Sequence, residues 1–150
     1  MPQSLSNILL HLVFSTKNRE ALLTTEIREE LHGYLSGIIE NQGGSLIKAG
    51  SVEDHIQLLL VHPRTCSPAD LVKEIKVGSN MWLKDKGPQW KAFQWQSGYG
   101  IFSISPSHKE ALIEYIANQE EHHRKVTFQE EYRRLLGKYG VQYDERYVWD

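Results

Sequence analysis

The sequence predicts an α+β fold of the ferredoxin-like type, a split βαβ pattern with an antiparallel sheet and helices on one face. Three observations predict it. Short apolar runs rich in Leu, Ile and Val are typical of strands, longer stretches carry apolar residues at helical spacing, and the two kinds follow in the order strand, helix, strand, strand, helix, strand, with further helices after them. With 150 residues and neither a repeat nor a linker, the chain is predicted to form a single domain over residues 1–150.

The first half of the chain is predicted to contain three strands and one helix. The apolar run at residues 7–15 has no basic leader before it, so a strand is predicted there rather than a signal peptide. A helix is predicted over 26–42, and the glycine that follows it, Gly43, supplies the left-handed geometry that ends it. The other two predicted strands, 45–50 and 55–62, are joined by a tight turn.

The second half is predicted to begin with a helix at Pro68, because proline is tolerated at a first helical position and Ser67 can cap the helix. The dipeptide Gly87-Pro88 ends it. The remaining elements are short strands over 93–95 and 99–103, and helices over 108–123 and 127–138.

Composition narrows the class of function. A net charge of −2 argues mildly against a protein that coats duplex DNA by charge, although it leaves room for a local basic groove. The single cysteine, Cys66, excludes an internal disulfide and fits a cytoplasmic location. No segment approaches the ~20 apolar residues that a membrane-spanning helix needs, so no membrane partner is predicted.

Two polar side chains interrupt the third predicted strand, in the motif DHIQLLL at residues 54–60. His55 and Gln57 project from one face because side chains alternate along a strand, and at ~7 Å apart they can share one cation. Spacing alone favours a simpler interpretation, in which the imidazole and the amide are hydrogen-bonded at the start of a strand.

A second polar pair lies in the third predicted helix, in the motif YIANQEEHH at residues 115–123. Tyr115 and Gln119 are four residues apart and therefore lie on one helix face, which His122 and His123 extend by a turn. Taken alone, Tyr115 is more simply explained as an edge residue of an amphipathic helix.

Four segments in order along the chain resemble the single-tyrosine transposases of the HUH superfamily, which include the REP-associated tyrosine transposases. The segments are HLVFSTKNR (11–19), DHIQLLL (54–60), WQSGYGIFSIS (95–105) and YIANQEEHH (115–123). The resemblance implies a homodimeric enzyme that depends on Mg²⁺ or Mn²⁺. It also implies that the enzyme cleaves and rejoins single-stranded, hairpin-forming DNA through a 5′-phosphotyrosine.

By that resemblance Tyr115 is the nucleophile, and His55, Gln57 and Gln119 are the metal ligands. The sequence departs from the family pattern at Gln57, where a second histidine is expected. An amide oxygen is a weaker donor than imidazole toward Mn²⁺ but acceptable to Mg²⁺, so weaker metal binding is expected. The alternative is therefore a catalytically weakened or domesticated transposase that binds DNA hairpins.

Basic residues that follow one face of the second helix, or lie beside the matched motifs, are the candidates for contacts with DNA phosphates. They are Lys17, Arg19, Lys73, Lys76, Lys84 and Arg124. A solvated helix face explains those of the second helix equally well. Two other classes stay open: an RNA-recognition module, whose aromatic motif is missing here, and a small-molecule-binding ferredoxin-like protein, which fits the acidic charge.

Overall fold

The computed structural model describes residues 2–150, so that Met1 of the predicted domain lies outside the described residues. Four antiparallel strands form one open sheet in the order β2-β3-β1-β4. The strands are β1 (Leu9–Ser15), β2 (Ser45–Ser51), β3 (His55–Val61) and β4 (Gly100–Ile104). The predicted α+β class, with an antiparallel sheet and helices packed on it, is confirmed.

Two helices, α1 (Thr25–Asn41) and α2 (Pro68–Lys84), cover one face of the sheet. Their buried side chains pack on those of β1 and β3 that point the same way, such as Leu12 and Leu58. Burial of this apolar surface, worth roughly 25 cal/mol per Å², is the main stabilising contribution. The helix α2 begins as predicted, since the hydroxyl of Ser67 accepts a hydrogen bond from the backbone N–H of Asp70 at 3.1 Å.

Three further helices cover the opposite face of the sheet. The sequence predicts helices on one face only. The three helices are α3 (Lys109–Ala117), α4 (Gln119–His123) and α5 (Phe128–Lys138). The apolar side of α3 packs on Leu9 and Leu59, and that of α5 packs on Val13 and Phe102. Between these two apolar contacts the middle of the sheet carries polar side chains, and these form the site described below.

Two predicted elements differ from the structure. The helix predicted over 108–123 is broken at Asn118, whose φ of −98° and ψ of 20° leave the helical range, so that α3 ends just after Tyr115 and α4 begins with Gln119. Residues 93–95 form no strand beyond an isolated bridge between Thr16 and Trp95.

In the described part of the chain, every helix is too short or too polar to cross a lipid bilayer.

Candidate active site

A buried polar cluster lies on the sheet face beneath α3, α4 and α5. His55 and Gln57 project into it from β3 with no exposed surface. Gln119 enters from the start of α4 and Glu131 from α5, and both are at most 2% exposed. Burying polar groups costs free energy unless they are hydrogen-bonded or paired, so the contacts within this cluster decide whether it is stable.

The carboxylate of Glu131 is the centre of the cluster, and its two oxygens face different groups. Oε1 lies 2.7 Å from His123 Nε2 and 3.4 Å from His55 Nε2. Oε2 accepts a hydrogen bond from the hydroxyl of Tyr115 and lies 3.3 Å from His122 Nε2. One carboxylate therefore connects a pair of imidazoles to the tyrosine.

His55 is oriented by the residue that precedes it. Its Nδ1 lies 2.8 Å from Oδ1 of Asp54, so Nδ1 carries a proton and Nε2 points into the cluster. There Nε2 lies 3.3 Å from Oε1 of Gln119. Histidines that bind metals usually donate their other ring N–H to a carboxylate in this way, which fixes the tautomer and the ring orientation.

The groups of the cluster shift one another's pKa values. Burial opposes the charged form of His55, but hydrogen bonds to Asp54 and Glu131 outweigh it and raise the pKa. Burial also opposes the carboxylate form of Glu131, yet hydrogen bonds from His123, His55 and Tyr115 outweigh it and lower the pKa. Burial and the adjacent charge of Glu131 raise the pKa of Tyr115. The cluster thus keeps Glu131 negative and Tyr115 protonated.

The donor atoms of the cluster fit a divalent cation. His55, His123 and Glu131 each offer one ligand atom, and these atoms lie within 4.8 Å of one another. Gln119 adds an amide oxygen beside His55. Imidazole suits transition metals, whereas carboxylate and carbonyl oxygens suit Mg²⁺ and Mn²⁺. The residues present therefore agree with the cofactor that the family resemblance implies.

Gln57, predicted as a ligand, turns its nitrogen toward the cluster. Its Nε2 donates to Oε1 of Gln119 at 3.0 Å and to Oε1 of Glu131 at 2.8 Å. Its own oxygen accepts a hydrogen bond from Nε2 of His11 at 2.8 Å. Burial lowers the pKa of His11 to about 4, so this imidazole is neutral. Gln57 can present its oxygen to a cation only if the amide rotates. The Nε2 of His11 must then accept a hydrogen bond from the amide nitrogen instead of donating one to the amide oxygen.

Three residues singled out from the sequence, His55, Tyr115 and Gln119, come together in this cluster. Sequence reasoning missed Glu131 and gave little weight to His123. An acidic residue in the first turn of a helix is common, because it interacts favourably with the helix dipole. A signal was nevertheless present, since Glu131 lies three residues after Phe128 and four before Leu135, on the apolar face of α5.

The lysines predicted to contact DNA on α2 lie across the sheet from Tyr115. Lys73 is exposed, whereas the ammonium of Lys76 is used within the chain. It donates to three carbonyl oxygens of one loop, and burial lowers its pKa to about 8. The acceptors are the carbonyl oxygens of Gln96 at 2.7 Å, Ser97 at 3.1 Å and Gly98 at 2.6 Å.

The remaining basic candidates lie at other places on the surface. Lys17 and Arg19 form the turn that follows β1, where the guanidinium of Arg19 stands 5.7 Å from the ring centroid of Trp149. Arg124 follows α4 and pairs with Glu121 at 3.1 Å. The six basic residues therefore do not form one surface together with the cluster.

The family model described as "Transposase IS200 like" matches residues 4–119, more than half of the chain. The chain belongs to the IS200-like transposase family. This confirms the resemblance to single-tyrosine transposases and places the chain in a class of DNA-cleaving enzymes. The matched region contains His55, Tyr115 and Gln119, and it ends before His123 and Glu131.

This IS200-like transposase is 29% identical over 115 residues to the ISDra2 transposase TnpA of Deinococcus radiodurans, covering 73% of this chain and 81% of the relative. It is also similar to the crystal structure of a protein assigned as a transposase in Deinococcus radiodurans. That likeness has a TM-score of 0.61 at 25% identity and covers 79% of this chain and 98% of that one.

A further solved structure is that of a REP-associated tyrosine transposase bound to a REP hairpin. Its TM-score is 0.62 at 14% identity, and the likeness covers 84% of this chain and 74% of that one. At this identity the likeness shows the fold alone.

Proposed function

We propose that this IS200-like transposase cleaves and rejoins single-stranded DNA through a covalent 5′-phosphotyrosine, with Tyr115 as the nucleophile and Mg²⁺ or Mn²⁺ as the cofactor. The observation that carries the proposal is the position of Glu131, whose carboxylate contacts the Tyr115 hydroxyl with one oxygen and faces His55 and His123 with the other. Hairpin-forming DNA as the substrate and a homodimeric assembly are taken from the family resemblance.

In the proposed cleavage step, the hydroxyl oxygen of Tyr115 attacks the phosphorus of a backbone phosphate. A bond forms between this oxygen and phosphorus, which joins Tyr115 to the 5′ side of the DNA. The bond from phosphorus to the 3′ oxygen breaks, and that oxygen leaves as a 3′ hydroxyl after taking a proton from water. In rejoining, a 3′ hydroxyl attacks the phosphotyrosine and the phenol is restored, so no energy-rich cosubstrate is required.

Glu131 is the group positioned to take the phenolic proton, because its Oε2 already accepts the hydrogen bond of Tyr115. A phenol with an ordinary pKa of ~10 is protonated at neutral pH, and here the pKa is raised further. A free phenolate is therefore disfavoured in this site. Proton transfer to Glu131 accompanies formation of the oxygen–phosphorus bond, as in general-base catalysis.

The proposed ligands of the cation are His55, His123, Gln119 and Oε1 of Glu131. When bound, a divalent cation polarises the scissile phosphate and offsets the charge that develops on its oxygens. In this proposal Gln57 becomes a ligand only with its amide rotated. In the orientation of the structure its nitrogen holds Glu131 and Gln119 in place.

The test is an assay for a covalent adduct. The protein is incubated with Mn²⁺ or Mg²⁺ and hairpin DNA that carries randomised single-stranded flanks, and the products are separated on a denaturing gel. We expect an adduct with the wild type and none with Tyr115→Phe. The control is Tyr147→Phe, which alters a tyrosine that is 63% exposed and should leave the adduct unchanged. A wild type that forms no adduct with either metal would contradict the proposal.

The second candidate function is that of a domesticated transposase that binds hairpins without cutting them. It is favoured by Gln57, which presents an amide nitrogen to the cluster where the family pattern has a second imidazole. Hairpin binding with no adduct under either metal is the result that selects this candidate over the first.

A further inference from the structure

A cavity of about 390 Å³ opens beside the candidate nucleophile, between α3, α5 and β4. Tyr115 and Glu131 both line it. Its volume lies at the lower end of the range for small-ligand sites, about 300–1,000 Å³, which suits a unit of the size of one nucleotide.

Two basic side chains of α5, Arg134 and Lys138, line this cavity. They follow Glu131 by three and seven residues, so the three side chains share one face of the helix. Both are exposed, and within residues 2–150 neither is paired with a carboxylate. The neighbouring Arg133, by contrast, is paired with Glu145 at 2.7 Å. The cavity therefore has two cations whose donors are available to a ligand.

The rest of the cavity wall combines apolar side chains, among them Ile104, Leu112 and Leu135, with the ring of Tyr139 and the imidazoles of His11, His108 and His122. Arginine and lysine bind phosphate oxygens through charge-assisted hydrogen bonds. An unpaired base, once out of a stack, is stabilised by packing against apolar and aromatic side chains. In a bound nucleotide, the cations would therefore contact the phosphate and the apolar side chains would contact the base.

We propose that this cavity binds one unpaired nucleotide of the strand that Tyr115 attacks. Arg134 and Lys138 contact a phosphate next to the scissile one, and the base lies against Leu112 and Leu135. The identity of the strand rests on the proposed function, whereas the binding of a nucleotide rests on the cavity itself. The bound nucleotide must be unpaired, since a base held in a duplex cannot enter a cavity of this kind.

The first experiment measures binding without catalysis. A short, fluorescently labelled single-stranded oligonucleotide of mixed sequence is titrated into the full chain in the presence of a chelator, at several salt concentrations. For the double variant Arg134→Ala and Lys138→Ala we expect an affinity about tenfold lower and a salt slope smaller by ~0.7 for each lost phosphate contact. In the wild type, the methyl NMR signals of Leu112 and Leu135 should shift on titration.

The matched control is the double variant Arg64→Ala and Lys91→Ala. It removes the same charge from exposed positions outside the cavity and should leave both the affinity and the salt slope unchanged. Equal losses in the two double variants, or oligonucleotide binding that leaves the methyl signals of the cavity unmoved, would overturn the proposed subsite.

The adduct assay separates this inference from the proposed function. A wild type that binds the oligonucleotide in the cavity and forms no adduct would support the subsite and contradict the tyrosine chemistry. A variant that lacks Arg134 and Lys138 and forms the adduct at the wild-type rate would overturn the subsite and leave the chemistry in place.

Discussion

The hydroxyl of Tyr115 donates to the carboxylate of Glu131, a residue sixteen positions further along the chain and on another helix. The other oxygen of that carboxylate lies 2.7 Å from Nε2 of His123. Glu131 and His123 both come after the part of the chain that matches the family model, which ends at residue 119. In the proposed function, Glu131 supplies the electron-pair donor that the nitrogen of Gln57 cannot supply.

Replacing Glu131 with Gln should weaken metal binding, because the change removes the carboxylate that faces the imidazoles of His55 and His123. Loss of an outer-shell partner alone costs ~10- to 100-fold in metal affinity, and loss of a ligand should cost at least as much. Isothermal titration with Mn²⁺ measures the effect. Glu130→Gln, an exposed neighbour on the same helix, is the control. Equal affinities in the two variants would remove Glu131 from the ligand set.

Replacing Gln57 with His should strengthen metal binding, since an imidazole is a better donor than an amide toward Mn²⁺. The gain we expect is about tenfold in affinity, with a larger yield of adduct. Gln57→Leu is the paired variant, because it fills similar space and offers no donor atom. If the His and Leu variants bind Mn²⁺ equally well, the side chain at position 57 does not reach the cation.

The antiparallel sheet and its first two helices were predictable from local patterns, and so was half of the site. Short runs rich in Leu, Ile and Val mark β1 and β3 as strands, and strand alternation places His55 and Gln57 on one face. The break at Asn118 carries no glycine or proline to mark it. The contact between Tyr115 and Glu131 is tertiary, so no local pattern contains it. Lys76 has the spacing of an exposed lysine, but the fold brings three loop carbonyls to it.

Gly50→Ala should disturb the site although Gly50 belongs to the edge strand β2. A Cβ atom there would lie 2.5 Å from the backbone oxygen of Ile116, a residue of α3 next to Tyr115. Overpacking of this kind typically costs about 1–3 kcal/mol, and moving α3 should also lower the adduct yield. Urea denaturation and the adduct assay measure the two effects. Gly37→Ala is the control, because nothing lies within 4 Å of its added Cβ.

Lys76→Met should destabilise the protein without changing the salt dependence of DNA binding. The change leaves the carbonyl oxygens of the loop at residues 96–98 without their charged donor, and hydrogen bonds to a charged group contribute about 1.5–3 kcal/mol. Lys73→Ala, at an exposed position of the same helix, should change the free energy of unfolding by less than ~0.5 kcal/mol. A smaller salt slope for Lys76→Met than for the wild type would show instead that its ammonium reaches DNA phosphates.

The free energy of unfolding should fall as the pH is lowered from 6.5 toward 4, partly because of His32, whose Nε2 lies 2.8 Å from the hydroxyl of Ser51. Burial, together with the charges of Lys48 and Arg28, lowers the pKa of His32 from 6.5 to about 4. Between these values the unfolded chain binds more protons than the folded chain, so the stabilisation is complete above pH 6.5, falls as the pH drops, and levels out below about 4. After a discount for partial exposure, the loss should be on the order of 2 kcal/mol.

Urea denaturation at several pH values measures this loss, and His32→Gln, which cannot titrate, should reduce the slope of the free energy of unfolding against pH. An unchanged slope in that variant would assign the pH dependence to other groups, of which His11 is the first to test because burial lowers its pKa to the same extent.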